Sequence, residues 1–128
     1  RGAKGRVKTV QRLLRPSDFQ RLYTQGEAVR NRLVVLHYLG NGQQICRVGY
    51  SVSKKLGNAV VRNRVKRRLR EAVRSLAEGF EPGYDLIISA RVGCRSAEYR
   101  EIVEAVVNVV ARAGIWRGTI TEEVGGGS

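Results

Sequence analysis

Between Asn58 and Gly79 the apolar residues Val61, Val65, Leu69, Ala72, Val73 and Leu76 recur at the spacing of one helix face. Asn58 stands where an N-cap belongs and Gly79 closes the stretch. Two other segments carry the same period. Phe19, Leu22 and Tyr23 lie between a cap at Ser17 or Asp18 and a stop at Gly26; Ile102, Val103, Val106, Val109 and Val110 lie between a cap at Ser96 and a stop at Gly114. Elsewhere the period is two. From Ala28 to Leu39, Val34, Leu36 and Tyr38 alternate with Leu33, Val35 and His37, Gly40-Asn41-Gly42 forces a reversal, and Gln44 to Ser53 returns. A short glycine-rich turn between two such runs predicts an antiparallel hairpin. After the turn at Pro82-Gly83, Leu86-Ile87-Ile88 within Tyr84 to Arg91 suits a buried strand. The predicted order is helix, hairpin, helix, strand, helix.

These elements fill one domain, and 128 residues leave no room for a second. Residues 1–11 are basic and aperiodic, and residues 117–128 end in Gly125-Gly126-Gly127-Ser128. Both are expected as flexible flanks of a domain spanning 12–116, the first an arm that orders on a polyanion if at all. There is no methionine, so the native start is expected before Arg1. No run of 18 apolar residues and no apolar signal core occur, which points to a cytoplasmic protein with no membrane partner. Cys46 and Cys94 are isolated and His37 is the sole histidine, a pattern expected of idle thiols rather than a disulfide or a zinc site.

Charge changes the picture most. The chain carries a net charge of +13 and an isoelectric point near 10.9, which calls for a polyanionic partner, nucleic acid before membrane. Nine of its bases and a single acid, Glu71, fall between Lys54 and Arg74. On a helix this places like charges four apart at Arg62 and Lys66, Arg64 and Arg68, Lys66 and Arg70, and Arg70 and Arg74. Each pair opposes the helix by roughly 0.2–0.5 kcal/mol, a cost that packing does not require and that phosphates would reverse. Asn63, between two arginines, is a weak helix former that offers an acceptor as well as donors, suited to a sugar hydroxyl or a base.

The string S-V-S-K-K-L-G-N-A-V-V-R-N-R-V-K-R-R-L-R-E at residues 51–71 closely resembles the signature of the bacterial ribonuclease P protein component. The resemblance extends over about residues 12–113, through Arg12 to Phe19, Tyr23, Gly26, R-V-G-Y-S-V-S at 47–53 and D-L-I-I-S-A-R at 85–91. It implies an α+β fold, a four-stranded sheet with three helices, ribosomal-protein S5 domain 2-like, in which the arginine helix lies in a left-handed β-α-β crossover, a rare hand. It also implies a surface for the catalytic RNA at Lys54, Lys55, Asn58, Arg62, Asn63, Arg64, Lys66, Arg67, Arg68 and Arg70. A second surface, for the 5′ leader of precursor tRNA, would hold Phe19, Tyr23, His37 and Arg91. His37 departs from the strand aromatic that some members carry. From spacing alone, Phe19 and Tyr23 read first as an ordinary core contact at i and i+4; it is the resemblance that turns them toward the leader.

The implied activity is that of the protein subunit of an endoribonuclease ribonucleoprotein, one protein to one ribonuclease P RNA. It helps that RNA and its Mg²⁺ ions remove the leader and give the mature 5′ end. The chain itself presents no carboxylate pair, no metal-ligand spacing and no partner for its histidine. Two rivals share the composition: a structural RNA-binding protein of the ribosome and a self-sufficient nuclease, for which acid, base and ligand candidates are too few.

Overall fold

Leu86 and Ile88 are fully buried with residues of two helices, while Ile87 between them is buried against a third helix. Successive residues of a strand point to opposite faces, so this strand is covered on both sides and takes the centre of the sheet. The computed structural model describes residues 10–13 and 15–118. It contains strands β1 (Val10–Arg12), β2 (Glu27–Arg30), β3 (Val34–Gly40), β4 (Cys46–Ser51) and β5 (Tyr84–Ala90), and helices α1 (Pro16–Gln25), α2 (Ala59–Leu76) and α3 (Tyr99–Arg112). The sheet order is β1-β4-β5-β3-β2. Helices α2 and α3 cover one face over the main core; α1 covers part of the other through Leu22, with Leu13 and Ile87 beneath it.

Five strands stand where four were expected within the same α+β fold: Val10–Arg12, whose first two residues were placed with the unstructured arm, pair parallel to β4. Three residues are too few for a period to show; pairing orders them. The hairpin expected across Gly40-Asn41-Gly42 does not form, since β5 lies between β3 and β4, antiparallel to the first and parallel to the second. The reversal is real, but its loop is tied to the entry of β5: Asn41 N–H donates to Gly83 O at 2.8 Å and Gly83 N–H to Ile45 O at 2.8 Å. Helix α2 thus joins neighbouring parallel strands, β4 and β5.

The single strand expected from Ala28 to Leu39 breaks at Asn31, whose Oδ1 accepts from the N–H groups of Leu33 and Val34, both at 3.0 Å. An asparagine that closes a turn on its own backbone gives the β2–β3 hairpin, with Ala28 opposite His37 and Arg30 opposite Val35.

Helix ends differ in detail from expectation. Helix α1 is capped by Arg15 with Pro16 at its first position, not by Ser17 or Asp18. Gly26 follows in extended conformation and is required by crowding, since a Cβ there would lie 2.7 Å from both Leu22 O and Tyr38 O. Helix α3 starts from Glu98 in a capping box with Glu101, two residues beyond the predicted Ser96, because the chain first makes a 3-10 turn over Val92–Arg95. Asn58 caps α2 as predicted, its Oδ1 accepting from Val61 N–H at 3.0 Å.

Candidate nucleic-acid interface

Helix α2 buries Val65, Leu69, Ala72 and Val73 and leaves its charges in rows around the remaining circumference. Arg64 and Arg68 lie toward the turn before α3, where Arg68 Nη1 donates to Ala97 O at 3.2 Å and Arg64 Nη2 stands 3.5 Å from Arg95 O. Arg62, Lys66 and Arg70 form the row on the other flank, with Arg62 Nε donating to Gly57 O at 3.1 Å. Asn63, Lys66 and Arg67 are exposed. Before the helix, buried Leu56 pins a one-turn 3-10 segment, Lys54–Leu56, and both lysines are exposed. Gly57 links it to the helix at φ +140°, a conformation costly for any side chain.

None of the nine bases from Lys54 to Arg74 has a carboxylate partner among the described residues; the ion pairs lie elsewhere, on Arg21, Arg32, Arg47 and Arg117. The structure therefore gathers Lys54, Lys55, Asn58, Arg62, Asn63, Arg64, Lys66, Arg67, Arg68 and Arg70 on one helix and its lead-in turn, with their charge unneutralised. Arg70 also faces a groove of about 270 Å³ beside β1, lined by Arg12, Arg74, Val48 and Tyr50. Burial pushes the Tyr50 phenol up to about 12, although Arg70, Arg12 and Arg74 pull it the other way. Arg12 and Arg74 were missed in the sequence because the groove exists only once β1 has paired.

The face of the sheet opposite α2 forms a cleft beside α1. The register places Gly49, Ile87, His37 and Ala28 in one row, and Ser51, Ser89, Val35 and Arg30 in the next. Phe19 and Tyr23 rise from α1 beside this floor. Their rings are 6.4 Å apart, and Tyr23 meets His37 edge-on at 4.8 Å and 87°. Phe19 is half-buried over Gly49, whereas Tyr23 is 45% exposed. The pair thus packs on the sheet and on each other, while Tyr23 keeps much of its surface exposed.

His37 has a buried Nδ1 with no partner among the described residues, and its pKa is lowered by burial and by the charge of Arg30. The shift favours the neutral ring, and its Nδ1 is left unpaired by the described residues. Arg91 does not join the aromatics. Its N–H donates to Leu33 O, just before β3 and four residues from His37, so about 13 Å away, and its guanidinium donates to Asn31 O at 2.9 Å. It closes the far end of the same face, exposed. Ser51, Ser89, Val35 and Arg30 were not singled out in the sequence; strand alternation could have found them once the pairing was known.

Thiol chemistry is absent from both surfaces. Burial, with Asp85 adding to it, pushes the Cys46 thiol up to about 12, and burial raises that of Cys94. No group of three or more His, Cys, Asp or Glu suited to a metal occurs among the described residues.

Comparison with known proteins matches these features to one family. The model of the family described as Ribonuclease P matches residues 7–114. The ribonuclease P protein component of Caldanaerobacter subterraneus subsp. tengcongensis is 39% identical over 105 residues, covering 82% of this chain and 90% of that protein. That of Clostridioides difficile is 40% identical over 104 residues, covering 80% and 91%. The RNase P protein of Staphylococcus aureus superimposes with a TM-score of 0.76 at 35% identity over 82% of this chain and 96% of that one. That of Thermotoga maritima gives 0.74 at 26% identity over 80% and 96%. With the family model matched over most of the chain, relatives near 40% identity and the fold shared with solved members, the chain belongs to the ribonuclease P protein component family.

Proposed function

We propose that this subunit holds two RNAs at once, the ribonuclease P RNA on α2 with its lead-in turn, and the 5′ leader of precursor tRNA in the cleft beside α1. The observation that carries the reading is the placement of these surfaces on opposite faces of one sheet. One is dense in unpaired positive charge, the other combines aromatic edges, hydroxyls and a neutral imidazole.

Charge of the first kind neutralises phosphates with release of counterions, without regard to sequence. A cleft of the second kind takes single-stranded bases, each stacked base contributing roughly 1–3 kcal/mol, with Arg30 and Arg91 at the floor's edge for the phosphates. In this reading the RNA and its Mg²⁺ carry out cleavage in the cytoplasm, and one protein serves each RNA. The protein's donor set does not suit it to hold the ion: its buried carboxylate, Asp85, is already taken up by two arginines and an asparagine.

The test is a pair of substitutions read on the assembled ribonucleoprotein. Phe19→Leu should lower the preference for precursor over mature tRNA by the equivalent of one stacking contact, about 1–3 kcal/mol at most, and leave affinity for the RNA subunit unchanged. Arg64→Ala should do the reverse. If Phe19→Leu leaves the preference intact in a folded protein, the leader lies elsewhere.

A further inference from the structure

Helix α1 is held to the sheet by charge as well as by apolar contact. Asp85, fully buried in β5, accepts Arg47 Nε at 2.8 Å and Nη2 at 2.7 Å, Asn41 Nδ2 at 2.9 Å, and Arg21 Nη2 at 2.7 Å. Arg21 lies 3.5 Å from Asp18, and Asp18 lies 3.9 Å from Arg47. The contacts close into a ring of alternating sign, Asp18, Arg21, Asp85, Arg47. Two of its members stand on α1 and two on the sheet.

The apolar contact under α1 is small: Leu13, Leu22 and Ile87 are buried there, with Phe19 and Leu39 against them. Such contact is non-directional and lets a short helix slide or roll. A charge-assisted network around a buried carboxylate is directional, and so can select one arrangement of the helix whatever its net contribution to stability. The two rings depend on that arrangement, since Phe19 flanks Asp18 and Tyr23 follows Arg21 by two positions on the same helix.

We propose that Arg21 is a positioning residue for the leader cleft: by closing the ring onto Asp85 it fixes the height and roll of α1, and so sets where Phe19 and Tyr23 stand over the sheet. The proposal rests on the leader reading above. Arg21 touches no RNA in this role and acts through the two aromatics.

The chain supplies its own reporter. His37 is its sole histidine and lies under Tyr23, with Arg30 the charged group beside it. If α1 shifts, the imidazole is uncovered, and its titration, followed by NMR, moves back up toward 6.5, its ordinary value. The variants are Arg21→Gln, which removes the charge and leaves Asp85 its bonds from Arg47 and Asn41, and Arg21→Lys, which retains a cation. Asp18→Asn, which weakens the ring without touching Asp85, replaces Arg21→Gln should that variant not fold.

With holoenzyme assembled on a bacterial ribonuclease P RNA, Arg21→Gln should lower the precursor preference about five- to tenfold. Affinity for the RNA should stay within about twofold, Arg21→Lys should restore most of the preference, and the His37 titration should rise in Arg21→Gln alone. An unmoved His37 titration overturns the positioning role. A moved titration with an intact precursor preference, in a system where Phe19→Leu lowers it, overturns the link to the leader. If Phe19→Leu also has no effect, the leader reading itself fails and takes this proposal with it.

Discussion

Phe19 fills the space that a side chain at position 49 would need: a Cβ on Gly49 would lie 2.5 Å from the ring's Cζ and 2.9 Å from its Cε1. The glycine in R-V-G-Y is thus a seat for the first aromatic of the cleft, not a weak point in β4. Gly49→Ala should displace the ring at a cost typical of overpacking, about 1–3 kcal/mol. It should also lower precursor preference in the holoenzyme without changing affinity for the RNA. Thermal melting and tRNA binding check the two halves; an unaltered melting temperature would show that the ring gives way freely and that its seat is not fixed.

Lys66 and Arg67 are exposed on α2 and have no acidic partner among the described residues. If they contact phosphates, affinity for the RNA subunit should fall steeply with salt, and each of Lys66→Ala and Arg67→Ala should reduce the log–log slope by about 1. Binding titrations across a range of potassium chloride measure this. A slope unchanged in the double variant would remove both residues from the interface.

Burial alone would raise the pKa of Asp85, but its hydrogen bonds from Arg47, Asn41 and Arg21 hold it below the ordinary value of 3.8. A carboxylate with a depressed folded pKa contributes stability that is present above the unfolded value and lost as pH falls through the folded one. Melting temperature should therefore drop as pH falls below about 4. Asp85→Asn should show a weaker drop from a lower starting point. Loss of a buried ionic partner costs about 3–5 kcal/mol, and the partial exposure of Arg21 and Arg47 places this case at or below the lower end. Equal acid sensitivity in both proteins would assign the effect to other carboxylates.

The sequence disclosed most where a single element carries the signal. The apolar stripe of α2, its cap at Asn58 and its unmixed charge are local, and each survives in the fold unchanged. Tertiary arrangement was less legible. Nothing near Gly40-Asn41-Gly42 tells that a strand more than 40 residues later will separate β3 from β4. That outcome follows from Leu86-Ile87-Ile88 being apolar on both faces, a property that decides the centre of a sheet only when all strands compete for it. The turn at Asn31 was hidden for a different reason. Its single asparagine interrupts a run that otherwise alternates well, and the interruption takes effect through two side-chain hydrogen bonds. The cleft floor at Ser51, Ser89, Val35 and Arg30 depends on register across four strands and could not precede the pairing.

Reconstitution shows whether this chain supports leader removal by a catalytic RNA. The purified protein should be mixed with a bacterial ribonuclease P RNA and a precursor tRNA at a Mg²⁺ concentration too low for the RNA to act alone. The leader should be released at the mature 5′ end only when both components are present, with activity lost as added salt dissociates the subunits. Cleavage by the protein without the RNA, or no gain over the RNA alone with a folded protein bound to it, would contradict the account.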